Sequence, residues 1–495
     1  MNTYAIRYIL GYVLKIEAIL MLLPCITSLY YQEKEGLVYL VVAVVTFLTG
    51  ALIGRKKPKE FLFYLKDGCV TTALSWILMS IFGSLPFIIT GEIPHFIDAL
   101  FETISGFTTT GASILNDVEA LSHTSLIWRS FTHWIGGMGV LVFLLAIIPL
   151  SGGSNINLMR AESPGPSVGK LYPKVRNTAR ILYLIYIAMT LTQFFLLILG
   201  RMPVFDAICT SFGTAGTGGF GVKNDSLTSY SPYLQWVTAI FMMLFAINFN
   251  AYYFLTIKQI KKGLTLEEVR FFTLLVLLAA IFITINILPM YPDIFTAMRD
   301  SFFQVTSLVS STGFSSANFD LWPHASKTVL ILLMCVGACA GSTGGGIKVS
   351  RFLILLKTVL KEFNSYIHPK SVIKIKMDKK PIEHDVVRST NVYFITFIII
   401  LSLSVFFISL EEKDLVTNFT AVLATLNNIG PGLSLVGPTA NFSHFSIFSK
   451  IVLMFDMIAG RLELFPILIL FHPALWKDYY TTKRTAYRRK HKRAD

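Results

Sequence analysis

DALFETISGFTTTGAS, residues 98–113, is an amphipathic run that ends in a hydroxyl-rich loop around Gly111. It has three counterparts. DAICTSFGTAGTGGFG (206–221) sets Gly219 thirteen residues after Asp206, as Gly111 follows Asp98. DSFFQVTSLVSSTGFSS (300–316) repeats that spacing from Asp300 to Gly313. TNFTAVLATLNNIGPG (417–432) keeps it to Gly430, with Thr417 in place of Asp. Each copy lies between two long apolar segments. A repeated unit of span, short helix with glycine loop, and span is the layout of an ion-conducting pore.

Hydrophobic residues make up 54% of the 495 and charged residues only 15%. Soluble domains keep roughly a quarter of their residues charged, so this chain belongs in a bilayer. Its first apolar stretch lacks a basic leader and a small-residue cleavage site, and reads as a retained span. Cys25, Cys69, Cys209, Cys335 and Cys339 fall in or beside apolar segments. Cys335 and Cys339 read as i,i+4 neighbours on one helix, small core residues and not metal ligands, and no disulfide is expected.

A spanning helix needs about 20 mostly apolar residues. Segments 9–30, 37–54, 70–89, 126–150, 181–199, 234–257, 271–288, 329–360, 392–410 and 445–471 qualify as spans. They divide the chain into a leading pair (1–60), four pore repeats (61–160, 161–265, 266–380 and 381–475) and a basic tail (476–495). The fold expected is all-α and polytopic, with four pseudo-symmetric helix–pore loop–helix repeats around one central pore. The helical part of each glycine copy, about ten residues or roughly 15 Å, crosses only half the hydrocarbon and should be re-entrant.

Basic clusters at 55–59, 160–180, 258–270, 348–388 and 477–493 fall on alternate connections. That asymmetry makes both termini cytoplasmic and brings all four glycine loops in from outside. It also accounts for the net charge of +14. The tail YRRKHKR reads as a face solvated beside membrane lipid, and no nucleic-acid partner is expected.

Four such loops around one axis would present carbonyl oxygens that replace the hydration shell of an ion. Glycine tolerates the positive φ and close backbone approach this requires. Hydroxyls and amides of Thr108, Thr109, Thr110, Thr214, Thr217, Ser310, Ser311, Thr312, Asn427 and Asn428 can brace the loops from behind. Each short helix directs its partially negative C-terminus inward, which favours a cation. A ring of carbonyls without carboxylates suits a weakly hydrated monovalent ion. Helix contacts in membranes also use small residues, but that explains one glycine stretch and not four at one spacing.

With these loops, the chain resembles the Trk/Ktr/HKT superfamily of potassium transporters. TTTGAS, GTGGFG, SSTGFSS and NNIGPGLS carry the likeness, together with WRSFTHWIGGMGVLVF (128–143), GSTGGGIKVSR (341–351) and AGRLELFP (459–466). The leading pair makes it most similar to the bacterial TrkH branch, not the shorter KtrB branch. The resemblance implies a K+-binding filter at Thr109, Thr110, Gly111, Gly218, Gly219, Thr312, Gly313, Asn428, Ile429 and Gly430, with K+ as the transported ion and no organic cofactor on this chain. It also implies a homodimer in the bacterial inner membrane and a cytosolic nucleotide-binding (NAD/ATP) ring subunit similar to TrkA. Plant sodium-carrying members have Ser at the first filter glycine, where this chain has Gly111.

Two apparent nucleotide motifs fail on context. Residues 216–221 satisfy G-x-G-x-x-G but follow an amphipathic half-helix and lack an acid about 20 positions on. Residues 341–348 approach a phosphate-binding loop, yet Ile347 separates the last glycine from Lys348 and a membrane span precedes them.

Two features are expected beneath the filter. The segment Gly341, Ser342, Thr343, Gly344, Gly345 and Gly346 interrupts span 329–360, and each interior glycine costs a helix about 1 kcal/mol relative to Ala. It reads as a non-helical intramembrane loop, the gate under the filter that the resemblance implies, against the alternative of a passive bend. Arg461 lies inside the last span, with Asp456 and Glu463 off its helix face. The resemblance implies that it projects into the permeation path; an arginine snorkelling to the interface is the rival. A proton- or sodium-coupled symporter is the competing function, with Glu17, Asp67, Asp456 and Glu463 as its carboxylates. No nucleophile–base or metal constellation supports an enzyme.

Overall fold

The computed structural model describes residues 1–56, 64–137, 175–371 and 374–477. The chain is built almost wholly of helices, and six of them are long and apolar enough to cross a membrane among the described residues. The leading pair is Thr3–Tyr31, interrupted at Met21, and Glu35–Ile53. Pro24 stands in the first turn after this interruption, where its missing N–H is tolerated. The two helices touch backbone to backbone: a methyl on Gly50 would lie 2.7 Å from the Gly11 carbonyl oxygen.

Each repeat supplies one pore helix. These are Phe96–Phe107, Val204–Gly216, Ile294–Val309 and Leu415–Leu426, of 12, 13, 16 and 12 residues. At about 1.5 Å per residue all fall short of the roughly 30 Å hydrocarbon core. The third begins earlier than its repeated Asp300 because the Asp293 carboxylate caps the Thr296 amide at 2.8 Å. Asp414 caps the fourth in the same way, through Thr417 at 2.9 Å.

The outer helices of the repeats begin with Leu65–Thr90, Val175–Leu199, Glu267–Ile287 and His384–Ile408. The returning helices of repeats 2 and 4 depart from the uninterrupted spans expected above, and that of repeat 3 is interrupted at the glycine-rich segment, as expected. His123–Gly137 opens the return of repeat 1, and the rest of span 126–150 lies outside the described residues. In repeat 2, Pro232–Ala246 and Phe249–Thr256 meet at 90°. Span 234–257 is therefore two helices, because Ile247 is extended and the Asn248 side-chain Oδ1 caps the Asn250 amide at 2.9 Å, starting a new helix. In repeat 3, His324–Val336 and Val349–Ile367 are separated by the glycine-rich segment. Helix ends at Val336, so Cys339 sits in that loop and does not share a helix face with Cys335. In repeat 4, Ile447–Arg461 stops at Arg461, and Phe465–Leu468 restarts after Glu463 and Leu464 take positive φ.

The leading pair is fastened to repeat 1 by a carboxylate. Glu33 accepts from the amides of His123 and Thr124, both at 2.9 Å, and from the Thr124 hydroxyl at 2.6 Å. It thereby caps the helix His123–Gly137 from another element. Tyr31 stacks on the His123 ring with centroids 3.9 Å apart. Burial pushes the Glu33 carboxyl up, but the Thr124 hydroxyl and the two amides outweigh it and hold the carboxyl below its ordinary value.

Candidate ion-conduction site

All four pore helices end the same way. Thr109, Thr217, Ser311 and Asn428 take φ of 55, 55, 60 and 54°. Each donates its amide three residues back, to Gly106, Thr214, Leu308 and Thr425. The following residues, Thr110, Gly218, Thr312 and Ile429, donate five back, to Ser105, Gly213, Ser307 and Ala424. This pair of bonds is a Schellman motif, normally built on glycine at the left-handed position. Holding a residue with a side chain there costs roughly 1 kcal/mol or more, and here it is held four times over. The glycine after each motif is left-handed again, with φ of 78, 78, 85 and 94° at Gly111, Gly219, Gly313 and Gly430. Alternating φ sign turns successive carbonyls toward one side.

The four loops close on one another. A methyl added to Gly111 would overlap the carbonyl oxygen of Gly218; on Gly219, that of Thr312; on Gly313, that of Ile429. On Gly430 it would lie 2.7 Å from the carbonyl oxygen of Thr110, which returns the sequence to repeat 1. Each glycine therefore seats against the carbonyl preceding the glycine of the next repeat. Only residues without a Cβ fit this cycle.

Polar side chains brace the cycle from outside. Thr108 and Thr110 hydroxyls pair at 2.8 Å, and Ser310 and Thr312 at 2.7 Å. Asn428 Nδ2 donates to Thr110 Oγ1 and to the Met457 carbonyl, both at 2.9 Å, joining repeats 4 and 1. Sequence reasoning missed the brace between repeats 1 and 2. His133 Nε2 accepts the Phe220 amide at 3.2 Å, which fixes the tautomer so that Nδ1–H donates to the Gly106 carbonyl at 2.8 Å. Beside it the Arg129 guanidinium pairs with Glu102 at 2.6 Å, donates to the Gly221 carbonyl at 3.0 Å and lies 3.6 Å over the Phe220 ring. Arg129 and Glu102 are both buried. Two opposite charges in otherwise apolar elements were the available signal.

The segment 341–346 lies against the inner ends of the pore helices. A methyl on Gly344 would lie 2.6 Å from the Ser310 carbonyl oxygen, and one on Gly345 would overlap that of Asn427. The Gly345 amide donates to the Ser311 hydroxyl, and Lys348 Nζ to the Gly344 carbonyl. Arg461 reaches the same loop: Nη1 donates to the Thr343 carbonyl at 3.0 Å and Nη2 to the Gly136 carbonyl at 2.5 Å. Its side chain thus bridges the loop to repeat 1. Glu463, near it in sequence, pairs instead with Arg351.

A family model described as a TrkH cation transport protein matches residues 38–480. The chain belongs to the TrkH family. It is accordingly a multi-pass membrane transporter and not an enzyme. The chain is 33% identical over 491 residues to the Trk system potassium uptake protein TrkH of Salmonella typhimurium, covering 97% of this chain and all of that protein. It is also 33% identical to the Escherichia coli Trk system potassium uptake protein TrkG, over 97% of this chain and all of that one. The crystal structure of the potassium transporter TrkH from Vibrio parahaemolyticus superposes with a TM-score of 0.86 at 30% identity, covering 96% of this chain and 100% of that structure. The all-α architecture of pseudo-symmetric repeats agrees with this family.

Proposed function

We propose that the chain is a potassium uptake pore of the bacterial inner membrane. One observation carries the reading: four equivalent glycine loops close into a single cycle of backbone against backbone. A cation entering that cycle exchanges water for the carbonyls of Thr109, Thr110, Gly111, Gly218, Gly219, Thr312, Gly313, Asn428, Ile429 and Gly430, while four helix C-termini supply partial negative charge. Potassium is favoured because the similar proteins named above are potassium uptake proteins and because position 111 is Gly and not Ser. Lys/Arg placement supports cytoplasmic termini and loops entering from outside. Inward flux is driven by the membrane potential, worth about 2.3 kcal/mol per charge per 100 mV.

Beneath the filter, the loop 341–346 blocks the path at rest, and Arg461 adds a positive charge that a passing cation must overcome. The close seating of Gly344 and Gly345 under the pore helices and the Arg461–Thr343 bond support this arrangement. The resemblance supplies the remaining parts. The chain works as a homodimer, and a cytosolic nucleotide-binding ring similar to TrkA withdraws the loop by pulling on the helix Val349–Ile367.

Purified protein in vesicles with a potassium gradient and no proton or sodium gradient tests the function. A pore carries potassium under these conditions and its flux follows an imposed voltage. Flux that appears only when a proton or sodium gradient is added would establish a symporter instead.

A further inference from the structure

The 90° break in repeat 2 and the glycine loop of repeat 3 complete each other. Where Pro232–Ala246 stops, the Phe245 and Ala246 carbonyls have lost their helical partners. The Thr343 hydroxyl donates to Phe245 at 3.2 Å and the Cys339 amide to Ala246 at 3.0 Å. Where Phe249–Thr256 starts, the Phe249 amide donates to the Gly341 carbonyl at 3.0 Å. Glu268 joins both breaks. Its carboxylate accepts the Ala340 amide at 2.6 Å and the Ser350 amide at 3.1 Å, on either side of the loop, and Asn248 Nδ2 at 3.1 Å from the break in repeat 2. Glu268 is 7% exposed, so these bonds face little competition from water.

Unsatisfied backbone groups at membrane depth are costly, and broken helices persist only where protein or water satisfies them. Withdrawing the loop strips three such groups in repeat 2 of their partners. Straightening of repeat 2 restores them, because a continuous helix supplies its own i→i−4 bonds.

We infer that the gate is a two-piece device, in which the loop of repeat 3 leaves the pore as the bent helix pair of repeat 2 straightens, with Glu268 as the residue that positions both. This rests on the reading of loop 341–346 as the gate. It gives the segment after the bend, Phe249–Thr256 and Ile260–Leu264 with Lys258, Lys261 and Lys262, a role as a second lever besides Val349–Ile367.

The test places spin labels at the exposed positions Tyr233 and Thr256, on a full-length chain whose native cysteines are replaced, and measures their separation with and without residues 342–345. Two helices of 15 and 8 residues at a right angle span about 25 Å, and in line with their connection about 35 Å or more. Deletion removes the Thr343 donor and, by shortening the chain that leads to Val349–Ile367, pulls Cys339 and Gly341 from repeat 2, so the separation is expected to lengthen by about 10 Å. Flux is measured on the same protein. An open pore with an unchanged separation overturns the coupling and leaves the gate reading intact. A lengthened separation with a closed pore sustains the coupling and removes the loop as the gate. Independently, Glu268→Ala is expected to raise partner-free flux several-fold with potassium-over-sodium discrimination unchanged, because the glycine cycle is untouched. Asn248→Ala, which removes one arm of the clamp, should do the same more weakly if Glu268→Ala does not fold. Partner-free flux at the parent level in the folded variant would overturn the positioning role.

Discussion

Arg461 bonds two carbonyls that belong to different repeats, Thr343 in the loop and Gly136 in repeat 1. On the proposed reading this side chain is both a barrier charge and a latch on the loop, so Arg461→Ala is expected to raise potassium flux per folded molecule several-fold. Uptake normalised to folded protein reads this directly, and unchanged specific flux with lowered stability would reduce the arginine to an anchor. Glu33 makes a contrasting case, a charge whose work is to hold elements together. Charge-assisted hydrogen bonds contribute about 1.5–3 kcal/mol each when lost from a shielded site, so Glu33→Gln should lower thermal stability measurably while leaving discrimination between ions intact. The carboxyl is held below its ordinary value in the folded chain. Its contribution is therefore complete above the titration of the unfolded carboxyl, near pH 4.3, and is lost as pH falls through the lower folded value. Melting curves at descending pH should show Glu33→Gln and the parent converging only in that acid range.

The pore helices and the third repeat's break were legible because the signals are local. A repeated spacing from Asp98, Asp206 and Asp300 to a glycine fixes a helix length, and six residues containing four glycines cannot continue a helix. The break at Ile247 was not legible. Residues 234–257 are continuously apolar apart from a few amides and hydroxyls, and the bend is stabilised by donors from repeat 3, nearly 100 residues away. Cys339 was misplaced on a helix for a related reason: Gly337, at φ 74°, ends the helix four residues before the glycine run begins. His133 and Arg129 escaped notice because their partners are distant in sequence: Gly106 and Glu102 stand on the pore helix of repeat 1, and Phe220 arrives only when repeat 2 packs against it. At this scale the loop itself carries a prediction. Removing residues 342–345 takes away the groups lying under Ser310 and Asn427 while the Schellman motifs above remain bonded within their own helices. The shortened chain should conduct potassium without its regulatory partner, and partner-dependent flux in a folded deletion variant would relocate the gate.

At the scale of the whole molecule, four repeats of dissimilar sequence reach one backbone geometry. TTTG, TGG, STG and NIG share only the glycine, yet the φ values at the two left-handed positions agree within about twenty degrees across the repeats. The braces behind them differ: hydroxyl pairs in repeats 1 and 3, His133 between repeats 1 and 2, and Asn428 between repeats 4 and 1. Symmetry is thus kept where an ion would pass and relaxed where protein packs on protein. Whether all four glycines close one selective ring is tested by replacing each in turn, Gly111→Ala, Gly219→Ala, Gly313→Ala and Gly430→Ala, and measuring potassium and sodium permeability in vesicles. Each added methyl meets a neighbouring repeat's carbonyl, so every one of the four variants should lose discrimination, with Gly430→Ala the mildest because its contact is the loosest at 2.7 Å. Parental discrimination in any folded member of the set would contradict a ring built from all four repeats.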